Sequence, residues 1–424
     1  MKVKKTGKET IVAKISQMLN HAVIKTDAQT RGENWADKIA LPVLGLTTFT
    51  FMTAGYLGAT AVVNSGFGSN VRMVTPLGVL NHINLATREG ILVKDGRAIE
   101  KLNQVDTILF DKTGTLTTEQ LDIARIIVCD DCKEDEVLIY AAAAENKLAH
   151  PIAKAILNKA IESKLTLPDI DNSKYQMGYG IKVTIEDKII HVGSIRFMTT
   201  EGITLPDKIQ KALVISHAEG NSLVIIAVNH KVIGAIELQA SVRFEVKQMI
   251  KNLRQIGIKH ISIVSGDHKH PTEKLAKSIN MDSYFYETLP ENKAQIVEQL
   301  QQEGKVVCFV GDGINDAIAM KKANVSISIK GASSIATDIA PIVLMDGGLS
   351  RLCKVFDISK SLDRTLRNSL KIAIVPGIIT IAGVFLLNFG RIQGIVLDDI
   401  ALIIGVGNAT LPLEKRNYSV ANTS

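Results

Sequence analysis

The chain has 424 residues, 46% hydrophobic and 22% charged, enough for two or three domains and compatible with a soluble body that carries membrane helices. Its net charge of +6 is spread along the chain apart from Lys2, Lys4 and Lys5, no RNA- or DNA-binding motif accompanies it, and no nucleic-acid partner is expected. The four cysteines, Cys129, Cys132, Cys308 and Cys353, are too few and too scattered for a disulfide framework, and the CxxC pair at 129 and 132 lacks a second ligand pair for a four-ligand metal site.

The first predicted element, within a linker over 1–35, is a helix with Ile11, Val12, Ile15 and Leu19 on one face, which is not the compact apolar segment of a signal peptide. No charge occurs between Lys38 and Arg72, a run of 33 residues, whereas one membrane helix needs only about 20. A hairpin of two membrane helices over 36–88 is predicted, turning near Thr53 to Tyr56 and passing Thr75-Pro76. The apolar run Val105, Ile108, Leu109, Phe110 then reads as a buried strand ending at Asp111, in the first part (89–117) of an α/β domain.

An insertion over 118–235 carries Glu145, His150-Pro151 and Gly178-Tyr179-Gly180, with alternating segments at 181–192 and 223–232 that predict a small α+β domain. The α/β domain resumes over 236–350. Val242, Val246, Met249, Leu253 and Ile256 make one apolar helix face. The strand 260–264 leads into Ser265-Gly266-Asp267, Lys293 follows Leu289-Pro290-Glu291-Asn292, and the strand 306–310 leads into Gly311–Ala317, GDGINDA. Strand–helix alternation predicts a parallel sheet covered on both faces, with ligands at the carboxyl ends of its strands. A second pair of membrane helices is expected over 351–413, from the uncharged runs 372–390 and 400–413, the latter reaching membrane length only through Asp398 and Asp399. A tail, 414–424, follows.

An aspartate at the end of a buried strand, followed by Lys112, Thr113 and Gly114, is placed to attack a phosphoryl group as a carboxylate nucleophile. With DKTGTLT at 111–117, His150-Pro151, Gly178-x-Gly180, Ser265-Gly266-Asp267 and GDGINDA in this order, the chain resembles the P-type ATPases, specifically the heavy-metal class, from about Gly7 to Pro412. The resemblance implies a haloacid-dehalogenase-like Rossmannoid phosphorylation domain, an inserted nucleotide-binding domain and about four transmembrane helices. It also implies ATP-driven cation transport through phospho-Asp111, with magnesium as cofactor, in a multi-pass plasma- or inner-membrane protein whose catalytic domains are cytoplasmic.

By the same resemblance Asp111 is the nucleophile, and magnesium lies between its carboxylate, the Thr113 main-chain carbonyl and Asp312. Lys112 and Lys293 supply positive charge, and Asn315 and Asp316 orient metal and phosphate. Glu145, His150, Pro151, Gly178 and Gly180 meet the adenosine, while Ser265, Gly266 and Asp267 complete the nucleotide site. Phosphatases sharing this sheet usually place a second aspartate where Thr113 stands, so the phosphoenzyme is expected to persist. For the same reason a soluble phosphatase is the least favoured reading.

Three features depart from the family. No Thr-Gly-Glu occurs, so the actuator domain is expected on a second polypeptide, or the chain is a truncated product; the alternative is a non-transporting nucleotide-binding remnant or regulatory subunit. Where heavy-metal pumps carry Cys-Pro-Cys or a variant of it, this chain has Phe67-Gly68-Ser69, which disfavours copper(I). Asn64, Ser65, Ser69 and Asn70 offer a harder, oxygen-lined site that Asn368 and Asn408 would face, or these groups only hydrogen-bond between helices. Ala240 stands where the family has an aspartate before Arg243, and Ser265 replaces a threonine while keeping its hydroxyl. The sequence leaves the ion and its direction open.

Overall fold

The computed structural model describes residues 27–65, 69–129, 132–146, 148, 150–168, 172–176, 180–311, 314–329 and 338–421. The linker before Asp27, the Phe67-Gly68 pair, Gly178 and Asp312 lie outside the described residues.

Seven strands form one sheet, in the order Ile91–Val93, Ile342–Leu344, Val325–Ile329, Val307–Gly311, Thr107–Asp111, His260–Val264, Ser283–Phe285. Val325–Ile329 runs parallel to both Val307–Gly311 and Ile342–Leu344, Ser283–Phe285 runs parallel to His260–Val264, and Ile91–Val93 closes one edge antiparallel. Every residue of Thr107–Asp111 and of Val307–Gly311 is buried, as continuous apolar runs in a doubly covered sheet require. Asp111 is the last residue of its strand, and Ser265 directly follows another. This is the expected α/β architecture.

The chain divides into two compact units, one of Met1–Leu109, Lys251–His260 and Ala294–Ser424, the other of Phe110–Ile250 and Ile261–Lys293. Among the described residues of the first, three helices are long and apolar enough to cross a membrane, over Ala40–Val63, Leu352–Leu387 and Arg391–Leu411. Leu41, Met52, Leu386, Leu387, Ile392 and Ile403 on them are exposed. Helices of a globular core would bury such residues, so these faces are built for lipid.

The first of these helices spans Asp27–Val63 and is broken at Gly55, whose φ of 72° only glycine adopts freely. The turn expected near Thr53 to Tyr56 lies there: a Cβ at Gly58 would stand 3.2 Å from Thr50 Cγ2, Ala61 and Val62 pack with Val43 and Leu46, and Arg72 pairs with Asp37 at 2.7 Å, contacts that need the chain to turn back at Gly55. A further helix, Ser69–Arg88, follows Val63. That helix is the polar member of the bundle, and its polar groups are occupied. His82 is fully buried, with Nδ1 2.7 Å from the Gly78 carbonyl oxygen and Nε2 3.1 Å from Ser361 Oγ, while Asn81 Nδ2 donates to the Ala409 carbonyl.

The second unit contains a six-stranded antiparallel sheet in the order Thr117–Val128, Lys231–Val242, Ser222–Val228, Lys188–Gly193, Gly180–Ile185, Asn172–Gln176. The strand Lys231–Val242 continues beyond residue 235, where the insertion was expected to end. Alternation serves two cores: Val224 and Ile226 pack with the helices Glu134–Glu145 and Pro151–Glu162, while Leu223, Ile225 and Ala227 pack with Phe197, Met198 and Ile209. The buried Glu237 carboxylate accepts from Ser216 Oγ at 2.8 Å and Asn221 Nδ2 at 3.0 Å and pairs with Arg125.

Gly234 marks where two layers press closest, since a Cβ there would stand 2.5 Å from the Ile127 carbonyl oxygen and 2.8 Å from Val137 Cγ2. Neither a ladder carbonyl nor a core side chain can yield without moving a strand. Gly234→Ala is expected to destabilise the sheet by about 1–3 kcal/mol. Amide hydrogen exchange should then quicken across Thr117–Val128; unchanged protection would contradict this packing.

Candidate functional site

Asp111 ends its strand with a side chain 8% exposed, against the 7% exposed side chain of Lys293. Lys293 Nζ donates to Asp111 Oδ1 at 2.5 Å. The lysine sits in the first turn of Pro290–Gln302, which fixes its reach. Lys112 pairs with Asp267. Burial pushes the Lys112 ammonium below the usual lysine range, and the Asp111 charge pulls it back up. Lys293 thus sets a positive charge directly against the Asp111 carboxylate.

The loop after Asp111 runs out to the surface and back. Thr113 is extended and exposed, Gly114 takes φ 73°, and the chain then dives so that Thr115 and Leu116 are buried. Arg243 holds this loop from behind: its backbone N–H donates to the Leu116 carbonyl at 3.0 Å, Nε to the Thr115 carbonyl at 2.8 Å and Nη2 to the Gly114 carbonyl at 2.9 Å. Sequence reasoning placed Arg243 only beside the missing aspartate. Backbone carbonyls as partners leave no trace in the sequence.

Ser265, Gly266 and Asp267 form the turn after His260–Val264. The Ser265 hydroxyl accepts from the Asp267 N–H at 3.1 Å, and the Ser265 carbonyl accepts from the Thr288 N–H at 3.0 Å. A Cβ at Gly266 would stand 3.7 Å from the Thr288 carbonyl, ordinary contact, so glycine is not demanded there by space.

In the first unit, Asp316 is buried at the start of Ala317–Lys322 while Asn315 is exposed. Gly311 makes room for it, since a Cβ there would stand 2.8 Å from Asp316 Oδ2.

His150 is at once a helix cap and a candidate ligand. Its Nδ1 accepts from the Ala153 N–H at 3.2 Å, capping Pro151–Glu162, with Pro151 at the first helical position. An accepting Nδ1 requires the proton on Nε2, and burial holds the ring pKa below its usual value, favouring this neutral form. Nε2 lies 3.0 Å from Glu145 Oε2, without the alignment of a hydrogen bond. Burial raises the Glu145 carboxyl to about 7. Gly180 packs under Phe197, where a Cβ would stand 2.4 Å from the ring, so that glycine serves the domain's own packing.

The polar membrane positions do not gather in one place. Asn64 Nδ2 donates to the Thr60 carbonyl at 2.7 Å, and the Ser65 hydroxyl is buried without a hydrogen-bond partner. The Ser69 side chain lies outside the described residues. Asn408 Nδ2 ties two helices together through the Thr365 carbonyl at 3.0 Å and Ser369 Oγ at 3.1 Å, and Asn368 lines a groove with Lys371. Gly394 packs on Ala61, one turn before Ser65, and stands roughly 21 Å along its helix from Asn408 at 1.5 Å per residue. Sequence reasoning missed Asp398 as a partner: its Oδ1 accepts from Asn70 Nδ2 at 2.9 Å. A carboxylate inside an apolar run was the available signal.

The profile of haloacid dehalogenase-like hydrolases matches residues 105–324. A copper-exporting P-type ATPase of Staphylococcus aureus strain MW2 is 36% identical over 298 residues, covering 70% of this chain and 36% of that protein, and its counterpart in strain bovine RF122 / ET3-1 matches equally. The chain thus spans just over a third of the length of these curated relatives. Among solved structures, a zinc-transporting PIB-type ATPase, crystallised in two states, superposes with TM-scores of 0.80 and 0.76 at 24% identity, over 96% of this chain and 68% of that one. At that identity the likeness is one of fold.

Glu145 gives the site a pH signature of definite sign. Its folded-state pKa lies above the ordinary 4.5, so between 4.5 and about 7 the folded chain retains a proton that the unfolded chain has lost. Stability therefore falls as pH rises through that window and levels off above it. Glu145→Gln is expected to flatten this slope in denaturant titrations at either end of the window. A variant with the slope intact would assign it elsewhere.

Proposed function

The chain belongs to the haloacid dehalogenase-like hydrolases, and from that premise we propose that it is the catalytic and membrane-embedded part of an ATP-driven heavy-metal cation pump that works through phospho-Asp111. The observation that carries this reading is the buried Asp111 carboxylate, held by Lys293 at 2.5 Å at the end of a sheet strand. In-line attack by Asp111 on the γ-phosphoryl group forms the acyl phosphate and expels ADP. Lys293, already beside the attacking oxygen, then offsets charge on the transferring group, and Lys112, paired with Asp267, adds a second positive charge to the site. Arg243 fixes the loop that aims it.

The Asp111 carboxylate and the Thr113 main-chain carbonyl are hard oxygen donors of the kind magnesium takes, which fits a magnesium ion here; Asp312 lies outside the described residues. Bound there, the ion would neutralise phosphate charge. Thr113 leaves no carboxylic acid beside the acyl phosphate to speed its hydrolysis. The reading retains a Thr-Gly-Glu actuator supplied from outside these residues.

For the cargo we propose oxygen ligation at Asp398, Asn70 and Ser65, which suits a harder cation than copper(I). Asp398 and Asn70 already meet. Ser65 has a buried hydroxyl with no hydrogen-bond partner among the described residues.

Incubation with γ-labelled ATP and magnesium should give acid-stable, hydroxylamine-labile label on the chain. Asp111→Asn should abolish it, and Lys293→Ala should lower its rate by about a hundredfold, the scale for losing one preorganised charge. Label that persists in Asp111→Asn would remove the proposal. Asp398→Ala should leave labelling possible but make it insensitive to added metal ions; unchanged metal dependence would move the cargo site elsewhere.

A further inference from the structure

The helices Leu352–Leu387 and Arg391–Ala421 enclose a groove of about 580 Å³ that none of the chemistry above uses. Asn368, Lys371, Asn408 and Thr410 supply its polar wall, Ile372 and Leu411 its apolar one. Its depth in the bilayer follows from the sequence. Lys371 immediately precedes the uncharged run 372–390, and Leu411 closes the third candidate span, so both ends of the groove lie at one membrane boundary.

Two further features make this boundary distinctive. Arg364, Arg367 and Lys371 are exposed and spaced three and four apart, which puts three cations on one stripe of the helix, where Asp363 pairs with Arg367 at 2.8 Å. Opposite, Gly407 lines the groove with nothing within 4 Å of where its Cβ would be, so the missing side chain is what keeps the space open. Asn408 cannot close it, because its amide is committed to Thr365 and Ser369.

We propose that this groove binds the headgroup of an anionic phospholipid, with the phosphate on Lys371 and the amide and hydroxyl groups of Asn368 and Thr410, and the start of an acyl chain along Ile372 and Leu411. A cation stripe at the membrane surface, next to a slot with one polar and one hydrocarbon-facing wall, matches a ligand that has both characters. A transported cation does not match, since Lys371 would repel it. The inference needs only the membrane placement of these helices and is independent of the pumping cycle.

The test is binding of fluorescent phosphatidylglycerol against phosphatidylcholine to the delipidated full chain in neutral detergent micelles. Phosphatidylglycerol should bind at least about fivefold tighter, the factor for about 1 kcal/mol per basic residue at a membrane surface. Lys371→Glu should erase the preference. Gly407→Leu, which favours the helix and fills the open space, should weaken binding of the anionic lipid while leaving phosphoenzyme formation unchanged. Excess inorganic phosphate should not displace the lipid; displacement would make this a free-anion site and overturn the lipid assignment. Equal affinity for the two lipids, or a preference that survives both substitutions, would overturn it as well.

Discussion

The ion pair of Asp111 with Lys293 is the constraint around which the candidate site is arranged. Two charges with side chains under a tenth exposed are costly to desolvate, and leaving either alone costs about 3–5 kcal/mol. The fold therefore commits several elements to keeping them together. A buried strand delivers the carboxylate, the first turn of a helix delivers the ammonium, and the Arg243 clamp prevents the intervening loop from relaxing. The same arrangement gives the pair its chemical use. A lysine that neutralises a carboxylate at rest is already in position when negative charge arrives on a phosphoryl group.

How much of this was legible follows from the kind of interaction involved. The strand ending at Asp111 could be read because a doubly covered strand needs consecutive apolar residues, and a polar cluster after such a run marks a carboxyl end. Lys293 could be named only by resemblance, since nothing in LPENK distinguishes a buried amine from a solvated one. The Arg243 clamp was invisible, because its acceptors are main-chain oxygens. The first membrane turn was legible near Gly55, because an uncharged run too long for one helix must turn inside it, and a glycine there admits the φ of 72° that the turn takes.

His150 shows why two readings of one residue need not compete. The ring nitrogen that caps a helix fixes the tautomer, and a fixed tautomer presents a defined N–H and a partly exposed ring face. Gly180 is the reverse case. Its glycine is demanded by Phe197 and Val192 within the domain, so the spacing Gly178-x-Gly180 reflects packing at its second position, whatever the role of its first.

In the bundle, the decisive distinction is between polar groups that are satisfied and those that are not. His82, Asn81 and Asn408 spend their donors on neighbouring helices, as buried amides and imidazoles in hydrocarbon must. Ser65 and Thr380 do not: both hydroxyls are buried without partners. Thr380 packs beside Gly394, one turn from Asp398, and Ala61, one turn before Ser65, packs on the same glycine. Both contacts are with the glycine one turn before Asp398, which itself accepts from Asn70. An unsatisfied hydroxyl costs on the order of 1–3 kcal/mol wherever it is buried, a cost that a bound cation, or the water it brings, would offset. This separates the Asp398 region from the Lys371 groove on physical grounds: one is short of positive charge and rich in free oxygens, the other carries its own cations and lacks an anion.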